Sequence, residues 1–262
     1  MTLLEEAVAR YHRILESDSY KDLGWAHQLQ EQMRARKLAP GGRLVCPVLR
    51  PHLVARRQYL ASVKAAEALY SAIERVRQAV IANPALLARL EMLPAEKMLA
   101  TINPGYPYLS VSSQIDTQVS NGSMHMVECN PASPAGVIYA EALSSLFYDA
   151  PPVKELRKRY KLTRVGGTRY LLKALLGAYK AFGRKKYPRI AILEFRQPFQ
   201  TAPTAELELM AESFRRAGYP TEVLTPEPLE YRNGLLSRGD FGIDLVYRRV
   251  SAQELLVRFD LG

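Results

Sequence analysis

The N-terminal part of the chain is patterned for helices, with apolar side chains recurring every three or four residues. Helices are predicted at residues 2–16, 22–37 and 51–82, with two short ones between 84 and 100. Proline and glycine at 39–42, and later Asn83-Pro84, end the longer helices, because these residues do not continue helical hydrogen bonding. The apolar run at 43–49 reads as a short strand.

From residue 115 the pattern changes to alternation of side chains, which is typical of strands. Asn121-Gly122 interrupts the alternation with a pair of residues that tolerate positive φ, so a β-hairpin turn is predicted there. The returning strand ends at residues 131–136, which contain two prolines and a glycine and lead into a predicted helix at 135–147.

The register of this hairpin decides which side chains share a face. A regular ladder with a two-residue loop places Asp116 opposite Val127, whereas a one-residue bulge places it opposite Glu128. Strict alternation puts Met126 on the face of Glu128, and His125 on the opposite face. In either register Asp116 lies directly or diagonally beside Glu128.

The final third alternates strand and helix, which predicts a small parallel, Rossmann-like unit. Strands are expected at 189–195, 221–224 and 242–247, with a helix at 204–217 and a last helix capped by Ser251. The predicted fold class is therefore a mixture of α+β and α/β, with a helical N-terminal part and antiparallel hairpin sheet before the α/β unit. The expected divisions are 1–150, a basic helical connector at 151–186, and 187–262.

Composition and charge limit the classes of function that fit this chain but do not select one. The chain has 262 residues, 48% hydrophobic and 24% charged, and a formal net charge of +10. No apolar run approaches the roughly 20 residues of a membrane span, and the N-terminus lacks the apolar core of a signal peptide. Cys46 and Cys129 stand far apart without metal-ligand spacing, so a reducing cytoplasm is the expected location. Nucleic acid, an anionic surface or a phosphate-bearing substrate would each account for the positive charge.

The hairpin carries the main candidate chemistry. Asp116, Glu128 and Asn130 offer two carboxylates and an amide oxygen near one another, a set of hard oxygen ligands suited to Mg²⁺. The alternative is that these acids simply face water on the open side of a sheet, which is where charged residues usually lie.

Asp116 followed by Glu128-Cys-Asn130, and then a Pro/Gly turn into a helix, resembles the metal-binding strand pair of the circularly permuted ATP-grasp proteins, the relatives of glutathionylspermidine synthase. Downstream, Tyr231-x-x-Gly234-x-Leu236 and Asp-Leu-Val-Tyr-Arg-Arg at 244–249 are similar to the pre-ATP-grasp α/β domain of that family. The resemblance covers about residues 103–262. It implies that Asp116, Glu128 and Asn130 hold Mg²⁺ against the phosphates of ATP, and that the complete protein is an ATP-dependent carboxylate–amine ligase.

Two departures from the family pattern qualify this expectation. The nucleotide-clamping strands and their glycine-rich loop would follow residue 262, so the chain is expected to be the N-terminal half of a family member, with a separate C-terminal half as a partner and little activity alone. Gln114 stands where the family has an arginine; glutamine can bond the same oxygens without supplying charge, so lower activity is expected. Arg248 and Arg249 follow the carboxyl end of a strand, where α/β sheets bind ligands, so they and Gln114 are the candidate catalytic residues. The alternative function is a non-catalytic basic module that binds nucleic acid or a partner protein through residues 154–186. Of these partners, carboxylate and amine substrates are expected, nucleic acid is less favoured and a membrane is not expected.

Overall fold

The chain is mixed α/β, with helices dominating its N-terminal half, as the sequence patterns predict. The computed structural model describes residues 2–107, 110–120, 123–131, 134–184, 187–200 and 202–258. Among them the helices are α1 Leu3–Leu15, α2 Gly24–Ala35, α3 Arg56–Ala82, α4 Pro84–Ala88, α5 Pro94–Thr101, α6 Val137–Asp149, α7 Pro151–Arg157, α8 Thr168–Ala181, α9 Ala205–Arg216 and α10 Ala252–Arg258. The strands are β1 Gln114–Ser120, β2 Ser123–Asn130, β3 Ile190–Leu193, β4 Thr221–Leu224, β5 Glu230–Arg232, β6 Leu235–Arg238, β7 Phe241–Ile243 and β8 Leu245–Arg248.

Backbone contacts divide the chain into two compact units that each combine separate stretches of sequence. The first unit is Met1–Leu60, Gly136–Tyr170 and Thr204–Met210, and the second is Ala61–Ala135, Leu171–Pro203 and Ala211–Gly262. Several helices therefore contribute residues to both units. Among the described residues, no helix is both long and apolar enough to cross a lipid bilayer.

The first unit is built around two apolar clusters. One surrounds Trp25, Leu29 and Met33 of α2 and includes Leu146 and Phe147 of α6. The other packs three residues of α1 against Val153 and Leu156 of α7, with Tyr160; its members are Ala7, Tyr11, Ile14, Val153, Leu156 and Tyr160. The capping box between Thr2 and Glu5 starts α1 and orders its first turn.

The segment that joins α2 to α3 corrects two sequence predictions. The expected strand at 43–49 is irregular backbone, although Leu44, Val45 and Cys46 are partly buried against the Trp25 cluster. Its apolar run is thus explained by packing onto helices instead of strand pairing. Helix α3 begins at Arg56 instead of residue 51. Before the helix, the Tyr11 hydroxyl donates to the Leu49 carbonyl oxygen at 2.7 Å and ties this segment to α1.

A carboxylate caps the start of α8. Glu141 of α6 accepts the backbone N–H groups of Gly167, at 3.0 Å, and Thr168, at 2.8 Å. A Cβ at Gly167 would clash with a methyl group of Val137, so a larger residue here would have to displace that side chain. Burial by itself would raise the pKa of Glu141, but the hydrogen bonds from Thr168 and Gly167 and the charge of Arg169 outweigh it, and the pKa is lowered from 4.5.

Replacing Glu141 by alanine is expected to cost about 1 kcal/mol of stability at pH 7, the usual value of a lost helix cap. Because the folded-state pKa is lowered, the contribution is fully present above pH 4.5 and is lost as the pH falls through the folded value. The wild-type and variant stabilities should therefore converge in acid. Urea unfolding followed by Trp25 fluorescence, at several pH values, measures this. Asp149→Ala, on an exposed carboxylate of the same helix, should leave the pH dependence unchanged; a constant gap between wild type and Glu141→Ala down to acid pH would contradict the capping role.

The second unit contains a small parallel sheet in the order β4-β3-β8, as the strand–helix alternation predicted. Beside it in the chain, β5, β6 and β7 form an antiparallel meander, and Asn233 and Gly234 connect β5 to β6 with positive φ angles of 52° and 77°. The single strand expected at 242–247 is two strands. The chain changes sheets at Asp244, whose carboxylate accepts the Arg189 N–H at 2.9 Å.

Candidate functional site

The hairpin β1–β2 pairs in the bulged register. Asp116 lies directly opposite Glu128, and Gln114 lies opposite Asn130, because one extra residue is inserted where Thr117 pairs with Met126. The predicted turn at Asn121-Gly122 lies outside the described residues, but the flanking pair Ser120 and Ser123 frames a two-residue connection. The bulge, one of the two registers left open by the sequence, is the one that brings the two carboxylates together.

The bulge also reverses the faces that strict alternation assigns to β2. Opposed residues of a ladder share a face, so Met126, opposite Thr117, lies on the other face from Glu128. His125 pairs with Gln118, two positions along β1 from Asp116, and so lies on the carboxylate face. Exposure agrees with this assignment, since His125 and Glu128 are exposed whereas Met126 is half-buried. The sequence prediction that His125 points away from the cluster is therefore wrong.

Gln114 positions Asp116. Its side-chain amide nitrogen donates to Oδ1 of Asp116 at 3.0 Å, while its amide oxygen accepts the backbone N–H of Ala135 at 3.2 Å. One side chain thus ties the carboxylate to the segment that follows β2. Glutamine has both a donor and an acceptor for this purpose, whereas arginine has donors alone.

Gln114→Leu is expected to leave the hairpin folded while releasing Asp116 from this bridge. Because the carboxylate itself remains, divalent-cation affinity should fall by about tenfold, the low end of the usual effect of losing an outer-shell partner. Titration with Mn²⁺, followed by paramagnetic broadening of the Asp116 amide signal, measures the change. Gln118→Leu, on the same strand face, is the matched control, and an equal loss in both variants would argue against a specific positioning role for Gln114.

The two arginines after β8 have different surroundings. Arg249 donates to the carbonyl oxygen of Pro134, next to the Ala135 N–H that Gln114 accepts. Arg248 instead donates to Val250 O at 2.7 Å, within its own turn. Hydrogen bonds from the Ser251 backbone and hydroxyl, and then the Arg248 charge, lower the pKa of Glu254. Of the two, Arg249 is joined to the hairpin site.

A buried ion pair at the carboxyl end of β3 was not found from the sequence. Glu194, only 4% exposed, accepts Nε of Arg196 at 3.0 Å, and Arg196 also donates to Val223 O at 3.3 Å. Arg249 is at the same edge, since its backbone N–H donates to Leu193 O. The carboxyl edge of a parallel sheet is where α/β proteins bind ligands. The sequence does contain a signal for this ion pair: a glutamate directly follows an apolar strand, and an arginine comes two residues later.

The oxygen donors of the hairpin suit Mg²⁺ bound together with phosphates. Directly opposed residues have Cβ atoms about 4.5–5.5 Å apart, so two carboxylates can reach one ion at roughly 2.0–2.1 Å. Asp116 and Glu128 are exposed and Asn130 is half-buried, which leaves room for further ligands. Within the described part of the chain, no group of three or more histidine, cysteine, aspartate or glutamate side chains is arranged to hold a metal. Two carboxylates and one amide provide fewer of these side chains than such a group, so an ion held by them would need water or phosphate as its remaining ligands.

An open groove of about 550 Å³ lies between α3 and the segment that enters β1. Tyr70 and Ser110 line it and are joined, because the Tyr70 hydroxyl donates to Ser110 O at 2.6 Å and accepts the Ser110 N–H at 2.9 Å. Ile115, which alternates with Asp116 along β1, lines the groove. The groove therefore opens on the hairpin face opposite the carboxylates.

No protein-family model and no curated protein matches this chain.

Proposed function

We propose that the chain is an ATP-grasp-like protein of the circularly permuted, glutathionylspermidine synthase-like type, which contributes to ATP-dependent joining of a carboxylate to an amine. The observation that carries the proposal is the pairing of Asp116 with Glu128 across the bulge, with Gln114 and Asn130 as the adjacent pair. The family resemblance places the metal ligands on this strand pair, and the bulged register brings its two carboxylates directly opposite each other. The parallel sheet β4-β3-β8 supports it, because it follows the hairpin in the order expected of the pre-ATP-grasp domain.

In the proposed reaction, a carboxylate oxygen attacks the γ-phosphorus of ATP and ADP leaves; an amine nitrogen then attacks the acyl carbon and phosphate leaves. Bound Mg²⁺ neutralises phosphate charge during such a transfer. Asp116, Glu128 and Asn130 would hold the ion, and Gln114 would keep Asp116 in place through the bond at 3.0 Å. Arg249 brings positive charge to the Pro134–Ala135 end of the site, where it can attract the substrate carboxylate.

The nucleotide-clamping elements implied by the family resemblance belong, in this proposal, to a further segment or a separate partner chain. The part described here would then supply the metal ligands and the substrate side. Since preorganised cations over the phosphates carry much of the transition-state stabilisation in phosphoryl transfer, turnover by this part alone is expected to be slow.

Calorimetric titration of the chain with ATP, in Mg²⁺ and in EDTA, tests the proposal without requiring turnover. A larger heat is expected with Mg²⁺ than with EDTA, because the carboxylates repel the triphosphate when no cation lies between them. In parallel, Mn²⁺ should broaden the amide signals of Asp116 and Glu128 before those of the β5–β7 meander. Equal heats with and without Mg²⁺, together with uniform Mn²⁺ broadening, would overturn the assignment.

A further inference from the structure

The first unit carries a cluster of cationic side chains that the proposed ligase reaction does not use. Residues 151–170 contain one acid, Glu155, among seven cations. The cations are Lys154, Arg157, Lys158, Arg159, Lys161, Arg164 and Arg169. Charge of one sign without compensation marks a surface that attracts anions.

Two of these arginines are held by one aromatic ring. The guanidinium carbon of Arg157 lies 3.5 Å from the centroid of the Tyr148 ring, and that of Arg164 lies 5.2 Å from the same centroid. The separation of the two guanidinium carbons therefore cannot exceed the sum of these two distances. Arg157 also donates to Tyr148 O at 3.2 Å, and Arg164 donates to the Ser145 hydroxyl at 3.2 Å. Ring and hydrogen bonds together preorganise a pair of like charges.

Two of the neighbouring cations form ion pairs with acids. Lys158 pairs with Glu155, and Arg159 pairs with Glu6 at 2.8 Å. Among the residues that the structure describes, no carboxylate forms an ion pair with Arg157 or Arg164. The charges of Arg157 and Arg164 are thus uncompensated, whereas those of Lys158 and Arg159 are neutralised by ion pairs. Two neighbouring guanidinium groups repel each other, and an anion bound to both would remove that repulsion.

We propose that Arg157 and Arg164, fixed by Tyr148, form a binding site for a single phosphate group of a small anionic ligand. Guanidinium groups match phosphate oxygens with paired N–H donors, so two of them can grip one group from two directions. Lys154, three residues before Arg157 on α7, adds charge to the same side of that helix. A nucleic-acid backbone would instead require a longer stripe of available cations, because its affinity comes from many phosphate contacts. The pairing of Lys158 and Arg159 with acids interrupts such a stripe.

The test is a titration of the chain with inorganic pyrophosphate in EDTA, where divalent-cation sites do not contribute. Arginine side-chain Nε–H signals in ¹H–¹⁵N NMR spectra report binding at each guanidinium. The signals of Arg157 and Arg164 are expected to shift together. Arg164→Gln should weaken binding by about tenfold, the effect of losing one charge-assisted contact. The matched control, Arg159→Gln, removes the same charge from a paired residue and should weaken binding by less than about twofold.

Arg164→Lys separates geometry from charge, since lysine keeps the charge but lacks the planar fork, and it should show a loss close to that of Arg164→Gln. Equal weakening by Arg164→Gln and Arg159→Gln, or no shift of the Arg157 and Arg164 signals, would overturn the site.

A second titration, with a single-stranded 20-nucleotide RNA, tests the alternative of a polymer-binding surface. Tight, steeply salt-dependent binding that Arg159→Gln reduces as much as Arg164→Gln would also overturn the compact site, in favour of a polymer-binding surface. Because EDTA is present throughout, failure here leaves the ligase proposal untouched.

Discussion

Glu128→Gln is expected to lower the affinity of the chain for Mg²⁺–ATP by at least about tenfold to a hundredfold, the loss that even a disturbed outer-shell partner of a metal site causes. Glutamine keeps the size of the side chain and an oxygen atom, but removes the negative charge opposite Asp116. A hard divalent cation depends on that charge more than on the number of oxygen atoms. Calorimetric titration of the wild type and the variant with ATP in Mg²⁺ measures the change.

Two controls make the Glu128 result specific. Glu230→Gln makes the same substitution on an exposed strand of the meander, and it should leave the titration unchanged. Asp116→Asn should reproduce the loss, and the double variant should lose little more than either single variant, because both carboxylates serve one ion. Additive losses for the two substitutions, or equal losses in Glu128→Gln and Glu230→Gln, would show that general charge is responsible.

Leu156→Ala is expected to destabilise the first unit by about 2–5 kcal/mol, the usual range for a fully buried leucine. Leu156 is 0% exposed and lies in the cluster that joins α1 to α7. Tyr11 and Val153 belong to the same buried cluster, and a close-packed core relaxes only in part around a truncated side chain, so a cavity is expected. The free energy of unfolding should therefore fall by more than the transfer energy of the lost methylene groups.

Urea unfolding followed by tryptophan fluorescence measures this effect in the right part of the chain, because the sequence has one tryptophan, Trp25, and it lies in the first unit. Leu3→Ala is the matched control. Leu3 is in α1 but is 72% exposed, so its truncation should change the midpoint little. Similar midpoints for the Leu156→Ala and Leu3→Ala variants would contradict the packing of α7 onto α1.

Most helices, and the order of strands and helices in the last third, followed from local pattern. Helix α1 begins one residue after its capping threonine, and the βαβ order was visible from apolar runs separated by an amphipathic helix. These features depend on interactions between residues that are close in the sequence. Such interactions can be predicted from the local pattern of side chains. The same holds for the two strands of the hairpin, whose alternation of side chains is local.

The two segments whose strands were predicted wrongly have a common feature: each depends on a partner that is distant in the sequence. Residues 43–49 have strand-like composition, but their apolar side chains are buried against α2 and α6. The strand expected at 242–247 is broken at Asp244, where a bond to Arg189 lets the chain leave one sheet for another. In both places the partner lies far away in sequence, so its effect could not be read locally.

The sequence by itself determined that this chain forms helices before a polar hairpin and a parallel α/β unit, because each element has its own periodicity and its own stop signals. It also placed Asp116, Glu128 and Asn130 near one another. Only the tertiary structure decided that a bulge sets Asp116 opposite Glu128, turns His125 to their face, and joins Gln114 to Ala135. Strand register and the cluster of Arg157 and Arg164 on Tyr148 depend on contacts between separate elements. The free energy of such contacts cannot be predicted from one stretch of sequence, because the partners lie apart in the chain.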